Sequence, residues 1–418
     1  MADIAAAAIL VLTLLAVMRP PRPWPELAWT APAAALVLLV GLETPQQAWD
    51  GVRPLLTTLV FLAAILVVAD VAGRAGLFEL AGKRLERCGG SGGWSLISVA
   101  VLSVAVTTTL SLDATAVLFT PVVIRAFRRR PGRDGPLLAT ILLANGASSL
   151  LPIANLTNLL AFRQLALSFP GFAERMALPT IVAAVVITLA CRTLGGRSSD
   201  DLAMRSADDA PVVATTAITS TSRLVLGAIG LLLIAFFVGS AFGVEPAWIA
   251  VGGAVILSGV TAGRLDTQVR QLASATAPGF LAFVACLAVV VDTARRHGLA
   301  DLVERHLPNG HGLPALAGVA VLAALLSNLV NNLPATLILL PALAGRSTGV
   351  VLAMLLGVNI GPNLTYTGSL ATLLWRKAVR AERVEPSLAS FYRVSAVATP
   401  LALCAAVLAL WVSLRLVG

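Results

Sequence analysis

The chain has 418 residues, of which 58% are hydrophobic and only 12% charged. Soluble domains lie near half apolar and a quarter charged, so this composition excludes a soluble enzyme, a disordered chain, a coiled coil and a disulfide scaffold. The net charge of +9 does not point to nucleic acid, because the basic residues fall in short clusters between long apolar runs, as in polytopic membrane proteins.

A helix needs about 20 apolar residues to cross the hydrocarbon, rising about 1.5 Å per residue. Such runs predict spans near 3–18, 28–43, 54–73, 137–162, 177–191, 223–243, 246–263, 277–293, 350–375 and 392–415. The opening run lacks a basic leader and a small-residue cleavage site and is read as a retained span. Two further apolar stretches, 93–126 and 312–345, are interrupted at their middles by TTTLSLDAT (107–115) and SNLVNNLP (327–334). Unsatisfied backbone at such a break costs several kcal/mol in lipid. Arginines flank the first stretch on both sides, which fits two short crossings or a hairpin equally. Each half is only about 15 residues, too short to span comfortably, and this favours re-entrant hairpins. The threading places 22 of the 30 basic residues in the cytoplasm and both termini outside.

The polar segment 193–222 reads as a cytoplasmic connector between two similar halves, 1–192 and 223–418. Each half runs as three spans, an amphipathic basic segment (74–88, 294–306), a hairpin, a polar-interrupted span and a last span. NGASSLLPIANLTNLL (145–160) aligns without a gap to NIGPNLTYTGSLATLL (359–374). Five crossings per half is odd, so the second half is inverted. The expected fold is an all-α polytopic membrane protein of about ten transmembrane helices plus two re-entrant hairpins, built as two inverted repeats with broken helices. Such repeats let secondary transporters hold a solute at the midplane and alternate access.

Asp113, at the first hairpin tip, is the sharpest single residue. A carboxylate at membrane depth costs about 2.5–3.5 kcal/mol on insertion scales. It can carry a coupling proton, cap the half-helix that follows, or do both. Asp70 and Asp292 occupy equivalent places near span ends, each followed by arginine, and are expected to form structural ion pairs. The second tip offers Ser327, Asn328, Asn331 and Asn332. The interrupted spans add Asn145, Ser148, Ser149, Asn155, Thr157, Asn158, Asn359, Asn363, Thr365, Thr367, Ser369 and Thr372, with Gly361, Pro362 and Gly368 breaking the second helix. Amide and hydroxyl groups suit a neutral hydroxylated solute. No basic residue lies at the four interruptions, which disfavours a dicarboxylate or phosphate. The three histidines and four scattered cysteines define no metal site or disulfide framework, and no cofactor is expected.

GVNIGPNLTYTGSLATLLW (357–375), LSNLVNNLPATLILLP (326–341) and LSLDATAVLFTPVV (110–123) resemble segments of the ArsB-type arsenite efflux permeases, in the ArsB/NhaD group of the ion transporter superfamily. The resemblance runs through nearly the whole chain. It implies export of arsenite and antimonite across a bacterial cytoplasmic membrane, driven by protons and sometimes assisted by a soluble ATPase subunit. It also implies a scaffold-plus-transport-domain, elevator-like architecture, with homodimers common among superfamily relatives. The chain departs from some relatives in having Leu112 before the hairpin acid and neutral Asn359 and Asn363 where others are charged. An NhaD-like sodium/proton antiporter is the alternative. A more distant one, an intramembrane enzyme, finds no HExxH, GxSxG, paired acids or P-loop.

Overall fold

The computed structural model describes residues 2–18, 26–87, 92–128, 132–195, 220–260 and 271–417. Most of the expected connector, 196–219, lies outside them. Helices occupy every predicted apolar run, and no strand occurs among the described residues. Six of these helices are long and apolar enough to cross a membrane alone, among them Phe169–Leu194, Leu313–Val330 and Leu388–Val417.

Both interrupted stretches break where the polar residues fall. Helix Gly92–Thr109 ends in a threonine run whose hydroxyls turn back onto the chain, Thr108 donating to the Val104 carbonyl at 2.8 Å and Thr109 to Ala105 at 2.7 Å. Such back-bonding competes with helix continuation. The chain restarts at Leu112–Ala114, passes through a wide π-type turn at Thr115–Phe119, and continues as helix Thr120–Phe127. Pro121 has no N–H and its ring crowds the carbonyl four residues back, which accounts for the widened turn. Thr120 Oγ1 satisfies the Thr115 carbonyl at 3.1 Å.

In the second stretch, helix Leu313–Val330 gives way to Asn332–Ala342 at Asn331, whose φ of +79° and ψ of +157° fall in a region that only glycine adopts without strain. Arg346, beyond the second arm, donates to the Pro308 carbonyl before the first arm at 3.4 Å. The two ends of this stretch therefore lie on one side, as a hairpin requires. At the first stretch, the preceding helix Leu77–Arg87 packs on its returning arm, with Gly82 against Val122.

The spans 137–162 and 350–375 are broken as expected. The first is Asp134–Ala147, a 3-10 turn at Pro152–Ala154 and Leu156–Phe162. The second is Thr348–Ile360, a 3-10 turn at Gly361–Leu364 and Leu370–Ala381. Every residue of Asp134–Ala147, and of Thr348–Ile360 after Thr348, is buried. Their amides and hydroxyls are therefore kept from lipid by surrounding helices, the condition under which irregular backbone survives at membrane depth.

Packing sorts the helices into two bodies. The hairpins and broken spans pack with Phe169–Leu194 and Leu388–Val417, the most extensive helix pair in the molecule. Ala2–Met18, Leu27–Leu39, Leu56–Arg74, Ser220–Ala241, Pro246–Val260 and Pro278–Ala294 pack mainly with one another and form a scaffold. Matched details recur in the two halves. Asp70 pairs with Arg74, and Asp292 with Arg296 at 2.7 Å and Arg295 at 2.7 Å. Both motifs end on a glycine in the left-handed region, Gly76 at φ +79° and Gly298 at φ +93°, where the chain turns into an amphipathic helix.

Candidate functional site

Four half-helices begin at one place. Ser111 caps the first, accepting from the Ala114 amide at 3.1 Å. Asn155 caps the second, accepting from Thr157 at 3.4 Å, and Ser369 caps the fourth, accepting from Thr372 at 3.1 Å. The third begins at Asn331, and the Asn332 amide donates across to the Gly368 carbonyl at 3.0 Å. Their first turns line a crevice of about 600 Å³, part of it open to solvent, through Asp113, Asn155, Thr157, Asn331, Asn332 and Pro334. The scaffold closes it with Val17, Glu26, Phe280 and Phe283.

Asp113 is half-buried, and no hydrogen bond or ion pair reaches its carboxylate among the described residues. It does not cap its own helix, because Ser111 does. Among the described residues no lysine or arginine lines the crevice, and Glu26 adds a second carboxylate to its wall. The helix starts around it present partial positive charge and N–H groups, which suit an oxygen-rich occupant.

Behind the crevice the remaining polar residues bond to one another. Asn359 is the hub. Its Oδ1 accepts from Asn155 at 2.9 Å and from Thr157 at 2.9 Å, while its Nδ2 donates to Asn158 Oδ1 at 2.7 Å and Ser149 Oγ at 3.2 Å. Asn158 donates to the Ser148 and Leu151 carbonyls at 2.6 and 2.9 Å, and Ser148 to the Asn145 carbonyl at 2.7 Å. Asn145 donates to Asn363 Oδ1 at 2.9 Å and Thr372 Oγ1 at 3.1 Å, and Asn363 to the Leu142 carbonyl at 3.0 Å. Ser369 and Thr372 lie 2.8 Å apart.

A third group ties the second tip to its neighbouring broken span. Asn328 donates to the Ala324 and Gly361 carbonyls at 2.8 and 2.7 Å and accepts from Thr365 at 2.9 Å. Asn331 Nδ2 lies 3.4 Å from the Thr367 carbonyl. Ser327 turns back to Ala324 at 2.8 Å. Gly361 permits close approach: a Cβ there would stand 2.5 Å from the Ala324 Cα. Pro362 sits in the 3-10 turn, and a Cβ on Gly368 would stand 2.4 Å from its carbonyl oxygen.

Of the residues singled out from the sequence, the structure thus brings Asp113, Asn155, Thr157, Asn331 and Asn332 to the crevice wall and knits the others into the network supporting it. Sequence reasoning missed Val17, Glu26, Phe280 and Phe283. Three are ordinary apolar residues of ordinary spans, and Glu26 sits in a charged loop, so none carries a local signal. Among the described residues no group of three metal-ligating side chains occurs, and His297 is engaged by Asp3 and the Leu42 carbonyl, each at 3.1 Å.

A model of the CitMHS family, described as citrate transporter, matches residues 3–358. The arsenical pump membrane protein of Escherichia coli strain K12 is 28% identical over 94% of this chain and 95% of its own length. That of Yersinia enterocolitica is 27% identical over the same shares. These relatives uphold the resemblance drawn from the hairpin and GSLATLLW motifs. In structure the chain is similar to the YdaH transporter of Alcanivorax borkumensis, with a TM-score of 0.61 and 19% identity over 99% of this chain and 98% of that one. That likeness bears on the fold alone.

Proposed function

The chain belongs to the CitMHS family of membrane transporters, and from its likeness to arsenical pump membrane proteins and the lining of the crevice we propose that it exports arsenite and antimonite from the bacterial cytoplasm by proton antiport. One observation carries the reading: a crevice walled by amides and hydroxyls from both halves, with the carboxylates of Asp113 and Glu26 and, among the described residues, no cation. Arsenite and antimonite are neutral trihydroxy species near neutral pH. Their hydroxyls both donate and accept, as do the amide and hydroxyl groups of Asn155, Thr157, Asn331 and Asn332. Citrate would bring several negative charges against Asp113 and Glu26 with no arginine or lysine among the described lining residues to offset them, so the family's described substrate fits poorly.

Asp113 is the group assigned to the proton. It lies at the junction of the two bodies, facing scaffold residues Phe280 and Phe283 across the crevice. A solute and a proton competing for one pocket that opens in turn to either side would couple the two fluxes. The repeated Asp–Arg–Gly turns and paired broken spans support reading the halves as inverted repeats that exchange conformations.

The test is uptake of As(III) into everted membrane vesicles under an acid-inside pH gradient, with Na⁺ and citrate as controls. As(III) accumulation that collapses with an uncoupler is expected. Movement of sodium or citrate without As(III) would overturn the assignment.

A further inference from the structure

A second cavity, of about 950 Å³ counting the part open to solvent, lies beyond the crevice, on the side that the charge bias assigns to the outside. Three helices line both spaces. On Leu156–Phe162 and its extension, Leu156 and Thr157 face the crevice and Leu160, Arg163 and Gln164 the second cavity. On Asn332–Ala342, Leu333 and Pro334 face the crevice and Leu337, Leu340 and Pro341 the cavity. On the scaffold helix Pro278–Ala294, Phe280 and Phe283 give way to Ala288 and Val291. Spacings of three and four residues put each of the first two series on one helical face, whereas the scaffold series contains a step of five from Phe283 to Ala288. Fully buried Leu287 stands four residues from both Phe283 and Val291 on this helix, in sequence between the residues that line the two spaces.

The cavity also carries polar groups in search of a partner. Thr58 is 1% exposed, its Oγ1 has no hydrogen-bond partner, and it lines this cavity. A buried hydroxyl left unbonded is costly and marks a place where a polar occupant is accommodated. Gln164 contributes an exposed amide. The charged groups are mutually compensated, Arg163 with Glu245 at 3.4 Å and Arg295 with Asp292 at 2.7 Å. The lining thus repeats the chemistry of the crevice: hydroxyl, amide and apolar wall, with no uncompensated charge to hold an anion.

We propose that this cavity is a release station for the same small, neutral, hydroxylated solute, held by Thr58 and Gln164 after it passes Leu287. The inference rests on the proposed export function and adds a second binding position to it.

Single cysteines at Gln164 and Leu340, in an export-competent background lacking Cys88, Cys191, Cys286 and Cys404, are treated with a membrane-impermeant maleimide from the outer face. As(III) accumulation is then measured in everted vesicles, and As(III) binding by calorimetry on purified protein. Both positions are expected to label. The adducts should slow export by about tenfold, since release of the solute is obstructed, while binding at the crevice stays within about twofold. Gln164→Trp, which needs no cysteine background, should act likewise. Absence of labelling at both positions, or export unchanged in the labelled protein and in Gln164→Trp, overturns the station. Wild-type vesicles that never accumulate As(III) overturn the export reading instead, and the station's solute with it.

Discussion

Asn155 donates its side-chain amide to Asn359 Oδ1 at 2.9 Å, across 204 positions of sequence. One of these residues caps a half-helix at the crevice, and the other sits on a helix with no exposed face. The geometry of the crevice is therefore set from behind, by an amide network that joins the two broken spans. Held in a dry interior, each bond is electrostatically stronger than in water, and each missing one is correspondingly expensive.

Asn359→Ala should destabilise the protein and lower transport together. It removes two donors and two acceptors from a fully buried site, and each buried group left unpaired costs about 1–3 kcal/mol. Asn158 Oδ1 loses the 2.7 Å bond it accepts from this residue. Thermal unfolding of purified protein in detergent should show a fall of several degrees. A transport defect with unchanged unfolding would mean that Asn359 touches the solute and is not part of the support.

Asn331 separates a backbone role from a side-chain role. Its φ of +79° with ψ of +157° is open to glycine and strained for any residue with a Cβ, asparagine and alanine alike, by about 1–3 kcal/mol. Asn331→Gly loses the crevice amide and its 3.4 Å contact with the Thr367 carbonyl but relieves the backbone, so it should unfold no lower than wild type while As(III) transport falls. Asn331→Ala should reduce both. Equal thermal unfolding for the two variants would show that this backbone conformation costs nothing.

Close approach of small residues makes two glycines respond differently. A Cβ at Gly361 would lie 2.4 Å from Ala324 Cβ and 2.5 Å from its Cα, so backbone must move. Gly361→Ala should cost about 1–3 kcal/mol or more, as overpacking does, and Ala324→Gly should not restore it. At Gly146 the clash is with the tip of Ile187, 2.6 Å away. Ile187→Val removes that tip, so it should rescue Gly146→Ala. Unfolding temperatures of the two pairs decide the matter.

Much of this was legible in the sequence because membrane burial makes polar residues conspicuous. Every apolar run became helix, and the breaks fell at Ser111, Asn155, Asn331 and Ser369, where polar residues interrupt runs that must otherwise keep their backbone bonded. Asp70 and Asp292 read correctly as ion-paired, because arginine follows each at helical spacing. The division of the asparagines was not legible. Asn155 and Asn158 stand three apart on neighbouring turns, yet one lines the crevice while the other spends its amide on two carbonyls. Both residues also meet Asn359, some 200 positions away, which no local pattern reveals. Phe280 and Phe283 were invisible for the opposite reason: an apolar wall looks like any lipid-facing or core position until its neighbours are known.

Asp113→Asn tests the coupling role without disturbing the fold. Ser111 already caps the half-helix, and no described bond to the Asp113 carboxylate is lost, so unfolding should be unchanged. Accumulation of As(III) driven by a pH gradient should vanish. Exchange of As(III) across vesicles at equal pH should survive, since the amides that receive the solute remain. Gradient-driven accumulation persisting in the variant would remove Asp113 from the coupling step.

The two ends of the molecule should respond to acid in opposite directions. Glu43, in the loop between Leu27–Leu39 and Pro45–Val52, is held above its ordinary 4.5 by burial, with Asp292 adding to the rise while the Thr293 hydroxyl and Arg296 oppose it. A raised folded value stabilises the fold below the unfolded pKa, and that contribution fades as pH climbs through the folded one. Glu385, between Leu370–Ala381 and Leu388–Val417, feels burial pushing it up, yet hydrogen bonds from Arg376 at 2.7 Å and Arg380 at 2.6 Å bring it below 4.5. A lowered folded value stabilises above the unfolded pKa and is lost as pH falls through the folded one. At pH about 7, Glu43→Gln should therefore unfold at a higher temperature than wild type and Glu385→Gln at a lower one. Both differences should shrink on acidification, the first once Glu43 takes up its proton above 4.5 and the second only below 4.5. Differences that stay constant with pH would show that neither carboxylate titrates differently in the folded protein.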